Sequence, residues 1–226
     1  MSRQEMSISR VTRSKEAAKA SYDQLSRWYD LLAGRFERKY QDAGLQQLGV
    51  KQGERILEIG FGTGYALVAL ARSVGSSGKV YGIDLSEGMC RVAQERVDKA
   101  HLSERAELTC GDAARLPYVA QSFDAVYISF TLELFGTPEI PLVLHECSRV
   151  LRDSGRLGVV AMSKRGKATV MTRLYAWAHR KFPRYVDCRP IFVRQALEDA
   201  GFHVGDVTAL SMWGLPVDIV VASKGA

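Results

Sequence analysis

The sequence predicts an α/β fold built on a mainly parallel sheet. Three observations carry this reading: short β-rich runs alternate with helical stretches from Arg55 onward, a glycine-rich turn follows the first run, and two closing β runs are separated by a short gap. At 226 residues the chain can fill one α/β core, and two ordinary domains do not fit once a polar N-terminal stretch is set aside. A hydrophobic content of 46% argues against disorder. The apolar runs Gly158–Met162 and Ile219–Ala222 fall short of the roughly 20 residues that a membrane-spanning helix needs.

Residues 1 to about 15 carry no sustained period and read as an arm. From Lys15 to Leu48 the pattern is helical, with Ala17, Ala20, Tyr22, Leu25, Trp28, Tyr29, Leu32 and Phe36 recurring at three- and four-residue steps, as helices laid against a core require. Strands are expected at Arg55–Ile59, Lys79–Ile83, Ala106–Cys110, Ala125–Ser129 and Arg156–Met162. Between them Tyr65–Val74 reads as a helix, Ser86 can cap a run to Ala100, Thr137-Pro138 opens a helix reaching Arg152, and Pro190 precedes one that stops at Gly201. The runs His203–Leu210 and Val217–Ala222, split by Trp213-Gly-Leu-Pro216, predict a hairpin-like return and an antiparallel edge. The single domain thus divides into an arm and helical cap (1–48), a core (49–162), a basic insertion (163–189), and a last helix with two strands (190–226).

The net charge of +6 is concentrated rather than spread. Between Ser163 and Arg189 stand Lys164, Arg165, Lys167, Arg173, Arg180, Lys181, Arg184 and Arg189 against the one acid Asp187. There Val170, Met171, Leu174, Tyr175, Ala178 and Phe182 form an apolar stripe, so the segment reads as a lid over a pocket or as a helix that grazes an anionic membrane. Cys90, Cys110, Cys147 and Cys188 show no Cys-x-x-Cys, and the four histidines make no His-x-x-x-His; neither a metal site nor a disulfide framework is signalled. The first residues lack the apolar core of a secretory signal, so a cytoplasmic address is expected, with the inner membrane surface as a peripheral contact.

The first strand runs directly into Gly60-Phe-Gly-Thr-Gly64, where glycines let the backbone turn sharply and approach a ligand closely. Asp84 ends the second strand, twenty positions after Gly64, where a carboxylate can accept from both ribose hydroxyls of an adenosine. The spacing is not that of a dinucleotide loop, since the third glycine of Gly-x-Gly-x-x-Gly falls on Tyr65 or Leu67; nor is there a Gly-Lys-Ser/Thr to cradle phosphate. Glu58 is poorly placed beside a pyrophosphate and suited to a ligand bearing positive charge. Asp112, in Gly111-Asp-Ala113 after the third strand, is the natural acceptor for an adenine amino group. Met89 either lies against the adenine face or packs helix on sheet.

Together these segments resemble the class I S-adenosylmethionine-dependent methyltransferases, in the branch of the ubiquinone/menaquinone-biosynthesis C-methyltransferases. The resemblance runs from about Tyr22 to Met162 and rests on Glu-x-Gly-x-Gly-x-Gly at 58–64, Asp84-Leu-Ser-x-x-Met89, Gly111-Asp-Ala113, Leu116-Pro117 with Ser122-Phe-Asp124, and Arg149-Val-Leu151 with Gly155. It implies a Rossmann-like, seven-stranded, mostly parallel sheet with an antiparallel last strand and helices on both faces. It also implies S-adenosylmethionine as cofactor, held by Glu58, Gly60, Gly62, Gly64, Asp84, Leu85, Met89, Asp112, Ala113 and Ser129, with S-adenosylhomocysteine as product. Tyr22 and Tyr29 then belong to a helix closing over cofactor and substrate. The chain departs from the family at Asp153-Ser-Gly155, where Pro-Gly-Gly is usual, a change expected to affect a turn.

On the substrate side, Ser129-Phe-Thr-Leu-Glu-Leu-Phe135 has no clear counterpart in the quinone-ring enzymes. Glu133 or Tyr22 can serve as a base if the acceptor must lose a proton, each against a bland alternative: Glu133 solvated at a helix entrance, Tyr22 holding the cofactor carboxylate. Tyr29, Phe130 and Tyr175 are the candidate substrate contacts. The favoured reading is methylation of a small, apolar or lipid-like acceptor of quinol type. N-methylation of a phospholipid head group is the second enzyme reading. A nucleic-acid methyltransferase is disfavoured because Ser129-Phe130 stands where strand four would carry Asn/Asp-Pro-Pro-Tyr/Phe.

Overall fold

The computed structural model describes residues 35–164 and 189–225. Helix α1 (Arg35–Leu48) is followed by β1 (Arg55–Ile59), α2 (Tyr65–Ser73), β2 (Lys79–Asp84), α3 (Glu87–Lys99), β3 (Ala106–Cys110) and β4 (Phe123–Ser129). Then come one 3-10 turn (Leu132–Leu134), α4 (Ile140–Val150), β5 (Leu151–Met162), α5 (Val193–Asp199), β6 (His203–Met212) and β7 (Leu215–Ser223). The seven strands form one sheet in the order β3-β2-β1-β4-β5-β7-β6. β1 to β5 pair in parallel, and β7 lies antiparallel between β5 and β6. Because the chain builds outward from β1 in one direction and then returns to build from β4 in the other, the strand order reverses between β1 and β4. That is where open α/β sheets hold ligands, beyond the strands' carboxyl ends.

Alternation along each strand makes two cores. Ile56, Tyr127, Val160 and Val217 face α1, α2 and α3, packing with Tyr40, Leu48, Leu67, Leu70, Ala93 and Val97. Leu57, Val126, Ile128, Leu157 and Val159 face the opposite side against Val143, Leu144, Val150, Val193 and Leu197 of α4 and α5. A sheet covered on both faces gives the near-continuous apolar runs seen in β4 and β5. Ser86 caps α3, its Oγ accepting from Met89 N at 3.1 Å, as its position predicts.

Several boundaries differ from the sequence reading for identifiable reasons. α4 begins at Ile140 rather than at Thr137-Pro138, because Pro141 fills the first-turn position, and it ends at Val150 because Leu151 is already extended. α5 starts at Val193 because Ile191 is drawn into a parallel bridge with Ser163. Asp153-Ser-Gly155 is an excursion inside β5: pairing jumps from Phe123↔Leu151 to Ala125↔Arg156. The closing strands reach Met212 and restart at Leu215, which leaves only Trp213-Gly214 as the turn. Phe36, expected in the buried stripe of the N-terminal helix, is 48% exposed. The arm at 1–34 and most of the basic insertion, 165–188, fall outside the described residues. Among the described residues no helix is long and apolar enough to cross a membrane.

The strap between β3 and β4 is pinned by α4. Glu146 accepts from Leu116 N at 2.8 Å and from Arg149 Nε and Nη2 at 2.7 Å each, while Arg149 donates to the carbonyls of Tyr118 (2.7 Å) and Leu116 (3.2 Å). The Arg149 guanidinium beside Glu146 lowers its carboxyl pKa against the opposing effect of burial. A carboxylate depressed in the folded state stabilises above its unfolded pKa and loses that contribution as pH falls through the folded value. Glu146→Gln is therefore expected to cost about 1–2 kcal/mol at neutral pH in urea unfolding, by loss of charge-assisted hydrogen bonds. The difference from wild type should shrink below about pH 4.3.

Candidate functional site

The loop after β1 is a run of left-handed turns: Gly60, Gly62 and Gly64 have φ of +69°, +53° and +80°. Two of them are needed for one reason and the third for another. A Cβ on Gly60 would lie 2.2 Å from Thr131 Cγ2, and one on Gly64 would lie 2.9 Å from Ala93 Cβ, so both glycines let neighbouring elements close in. A Cβ on Gly62 would meet nothing within 4 Å; it would project into open space above the loop. Gly62 thus supplies an uncovered stretch of backbone at the sheet's switch point, as a ligand resting on the loop requires.

Asp84 ties the loop to the next element. Its Oδ2 accepts from Gly62 N and its Oδ1 from Ser86 N, both at 2.9 Å, and its own carbonyl accepts from Gly111 N at 2.8 Å. One residue therefore joins the glycine loop, the start of α3 and the turn after β3. A carboxylate oxygen can accept more than one hydrogen bond, which is the property that two ribose hydroxyls would use. Beside it Leu85 is half-buried, and Met89 is 2% exposed on α3. Asp112 is half-buried, its Oδ1 accepting from Ala114 N at 2.9 Å, and Ala113 is buried. Thr63 of the loop accepts from Arg96 Nη1 of α3 at 3.1 Å.

Glu58 is the electrostatic centre of this end of the sheet. It is 3% exposed, and its Oε2 has no hydrogen-bond partner. Burial pushes its carboxyl well above the usual carboxylate range, and the neighbouring Asp84 adds to the push. Burial thus disfavours the charged form, and a cation brought beside it would favour that form, so the pocket suits a ligand with a positive group close to Glu58 and hydroxyls close to Asp84.

The C-terminal end of β4 closes the other side. Ser129 is buried, and Phe130 takes φ +49°, a strained value for an aromatic residue. Thr131 Oγ1 donates to the carbonyls of Gly60 (3.2 Å) and Ser129 (2.9 Å), locking β4's end to the loop. Sequence reasoning missed Thr131, whose partner is 71 positions away and leaves no local signal. Glu133 is fully buried rather than solvated at a helix entrance: its Oε1 accepts from Met162 N at 3.0 Å, and it faces the buried Arg189. Arg189, read only as part of a charged run, anchors the far end of the basic insertion by donating to Thr137 Oγ1 (2.9 Å) and the Phe135 carbonyl (2.6 Å). His145 is exposed, as a surface residue would be. Cys147 is buried, whereas Cys110 is exposed. Tyr22, Tyr29, Tyr175 and Cys188 lie outside the described residues. Among the described residues no cluster suited to a metal ion occurs.

Two stability measurements probe this geometry. Gly60→Ala combines a left-handed φ with a contact inside van der Waals range of Thr131 and should destabilise by more than about 2 kcal/mol in urea unfolding. Gly62→Ala, strained but unobstructed, should lose only about 1 kcal/mol. Glu58→Gln should behave oppositely to an ordinary ion-pair deletion. The raised carboxyl's contribution is full below the unfolded pKa of about 4.3 and is lost as pH rises toward the folded value. Unfolding titrations across this range should find the variant's advantage over wild type growing with pH.

Residues 56–155 match the family described as a methyltransferase domain. A demethylmenaquinone methyltransferase of Lactobacillus johnsonii is 35% identical over 143 residues, which are 63% of this chain and 57% of that protein. The chain thus spans less than two thirds of that relative's length. A crystal structure of a SAM-dependent methyltransferase from Aquifex aeolicus is 26% identical, covers 81% of this chain and 89% of its own, and has a TM-score of 0.62. The cyclase SpnF superposes with a TM-score of 0.79 over 97% of this chain and 98% of its own, at 20% identity, which is a likeness of fold alone. Strand order, glycine loop and sequence match converge: residues 56–155 match a methyltransferase domain, carried on a fold like that of a SAM-dependent methyltransferase.

Proposed function

We propose that the chain binds S-adenosylmethionine at the β1–β4 switch point and transfers its methyl group to a small, apolar or lipid-like acceptor, a quinol-type ring carbon in the favoured reading. The observation that carries the cofactor assignment is the buried carboxyl of Glu58, with an unpartnered oxygen beside Asp84. A cationic amino group there would satisfy that oxygen and favour the charged form of the carboxyl that burial opposes. In this reading Gly60, Gly62 and Gly64 present backbone to the amino-acid end, and Asp84 and Leu85 hold the ribose. Met89, Asp112 and Ala113 hold the adenine, and Ser129 borders the methyl group's exit.

The bound cofactor supplies an activated methyl group on a positively charged sulfur. The residues of the chain contribute alignment and exclusion of water, since an in-line displacement that discharges a cation gains little from polar assistance at the transition state. Phe130, at the end of β4, is proposed as a wall for the acceptor. Of the candidate bases, Glu133 is committed to Met162 N and faces Arg189, an arrangement that suits holding the β5 end in place better than taking a proton. The relatives named as demethylmenaquinone methyltransferases support the quinol reading of the acceptor.

Calorimetric titration with S-adenosylmethionine, S-adenosylhomocysteine and NAD tests the pocket. The two sulfur ligands should bind in the micromolar range and NAD should not; folded protein that binds neither sulfur ligand would sink the proposal. Asp84→Ala should weaken S-adenosylhomocysteine at least about tenfold while the protein stays folded, by loss of two charge-assisted hydrogen bonds. For the acceptor, methyl-labelled cofactor with a short-chain demethylmenaquinol should place the label on the ring. Label found instead on phospholipid head groups would overturn the quinol reading and leave the cofactor site intact.

A further inference from the structure

Exposed large apolar side chains are scattered singly on most proteins, but here three of them gather at one corner. Trp213 is 59% exposed, Phe36 48% and Leu210 37%. The rings of Phe36 and Trp213 meet edge to face with centroids 4.7 Å apart, and Leu210 pairs with Val217 on the sheet face that α1 covers. The remaining two exposed apolar residues among those described lie apart: Val119 precedes β4, at the amino ends of the parallel strands, and Leu142 sits on α4.

The turn itself has the wrong residue for a turn. Trp213 and Gly214 have φ of +52° and +80°, the paired positive values of a two-residue hairpin that Asn-Gly makes with least strain. A bulky aromatic residue held left-handed and more than half exposed gains little for folding beyond its contact with Phe36. Strain kept at an exposed aromatic marks a surface with another use.

Topology places that surface on the rim of the proposed cofactor site. β6 runs antiparallel to β7, which runs antiparallel to β5, so the Trp213-Gly214 turn lies at the same edge as the carboxyl ends of β1, β4 and β5. Tyr40 links the corner to the pocket: its hydroxyl donates to the Ser211 carbonyl at 2.5 Å, and its ring meets Phe130 edge to face at 6.2 Å. The surroundings are cationic. On α1 Lys39 is exposed and Arg38 lies over the Tyr65 ring, against the acids Glu37 and Asp42, and the exposed Lys164 follows Ser163, whose N–H donates to the Pro216 carbonyl just after the turn. From there the chain enters a stretch whose sequence holds seven more basic residues and one acid.

We propose that Phe36, Leu210 and Trp213 form a docking corner for an anionic membrane surface, inserting their side chains at the headgroup level while neighbouring Lys and Arg meet the lipid charge. This rests on the proposed function to the extent that a lipid-like acceptor resides in such a membrane, and it names the face through which the site would reach it.

The test uses the full chain without cofactor and vesicles of phosphatidylcholine with or without phosphatidylglycerol. Trp213→Asn suits the turn's positive φ, and Phe36→Gln suits a helix surface, so the double variant should unfold at an unchanged midpoint. Wild type should partition onto the anionic vesicles and leave them as salt rises, and the double variant should bind them about tenfold or more weakly. Equal partitioning of wild type and variant, or no preference for anionic over neutral vesicles, would overturn the proposal. So would a change confined to self-association in light scattering, which would make the corner a contact between copies of the chain. S-adenosylhomocysteine titration of the same samples separates this outcome from failure of the proposed function, because vesicle binding does not require an active pocket.

Discussion

Asp84 carries three loops on one residue. Its two carboxylate oxygens fix the glycine loop through Gly62 and the head of α3 through Ser86, and its carbonyl fixes the turn after β3 through Gly111. These are the walls of the pocket on the β2 side. A carboxylate that accepts backbone N–H groups at both oxygens is rigid, and rigidity here sets where any hydroxyl-bearing ligand can sit. On the β4 side Thr131 plays a comparable part, because its hydroxyl and methyl rest on Gly60. The glycine loop is held from both flanks, and only Gly62, between them, faces open space.

Glu58 introduces the opposite principle. Folding leaves a buried acid with an unpartnered oxygen close to a second acid, an arrangement that weakens the fold. Strain of this electrostatic kind is relieved by a proton or by a cation brought beside the acid. The pocket is therefore selective by what it lacks: a pyrophosphate would worsen the charge balance that a sulfonium or ammonium would correct.

Features set by local backbone rules were legible in the sequence. β1 and β3 were placed to the residue, the other strands to within a few, and the glycine loop, Asp84 and the Ser86 cap were all found, because alternation, glycine spacing and capping act over a handful of positions. The misses share one cause. Thr131 against Gly60, Glu133 against Met162 and Arg189, and Phe36 against Trp213 are pairs far apart in sequence, and no periodicity within one element encodes its partner in another. Glu133 is instructive, since a charged residue entering a helix reads as solvated until the arginine facing it is known. Asp153-Ser-Gly155 was read as a turn and is an excursion within a continuous strand, a distinction that only the pairing register of β4 can make.

The basic insertion leaves and rejoins the fold at adjacent points. Ser163 bridges Ile191 in parallel and donates from its Oγ to the buried Asp218 at 2.7 Å, while Arg189 is fixed to the Phe135 carbonyl and Thr137. Two neighbouring anchors clamp both ends of the segment independently of its content. Since closing a loop grows only logarithmically more unfavourable with length, residues between such anchors can be lengthened, shortened or exchanged with little effect on the sheet. The scaffold is thereby uncoupled from whatever the segment recognises, and a lineage could exchange one acceptor for another by rewriting a single stretch of chain while the cofactor half of the molecule stayed as it is.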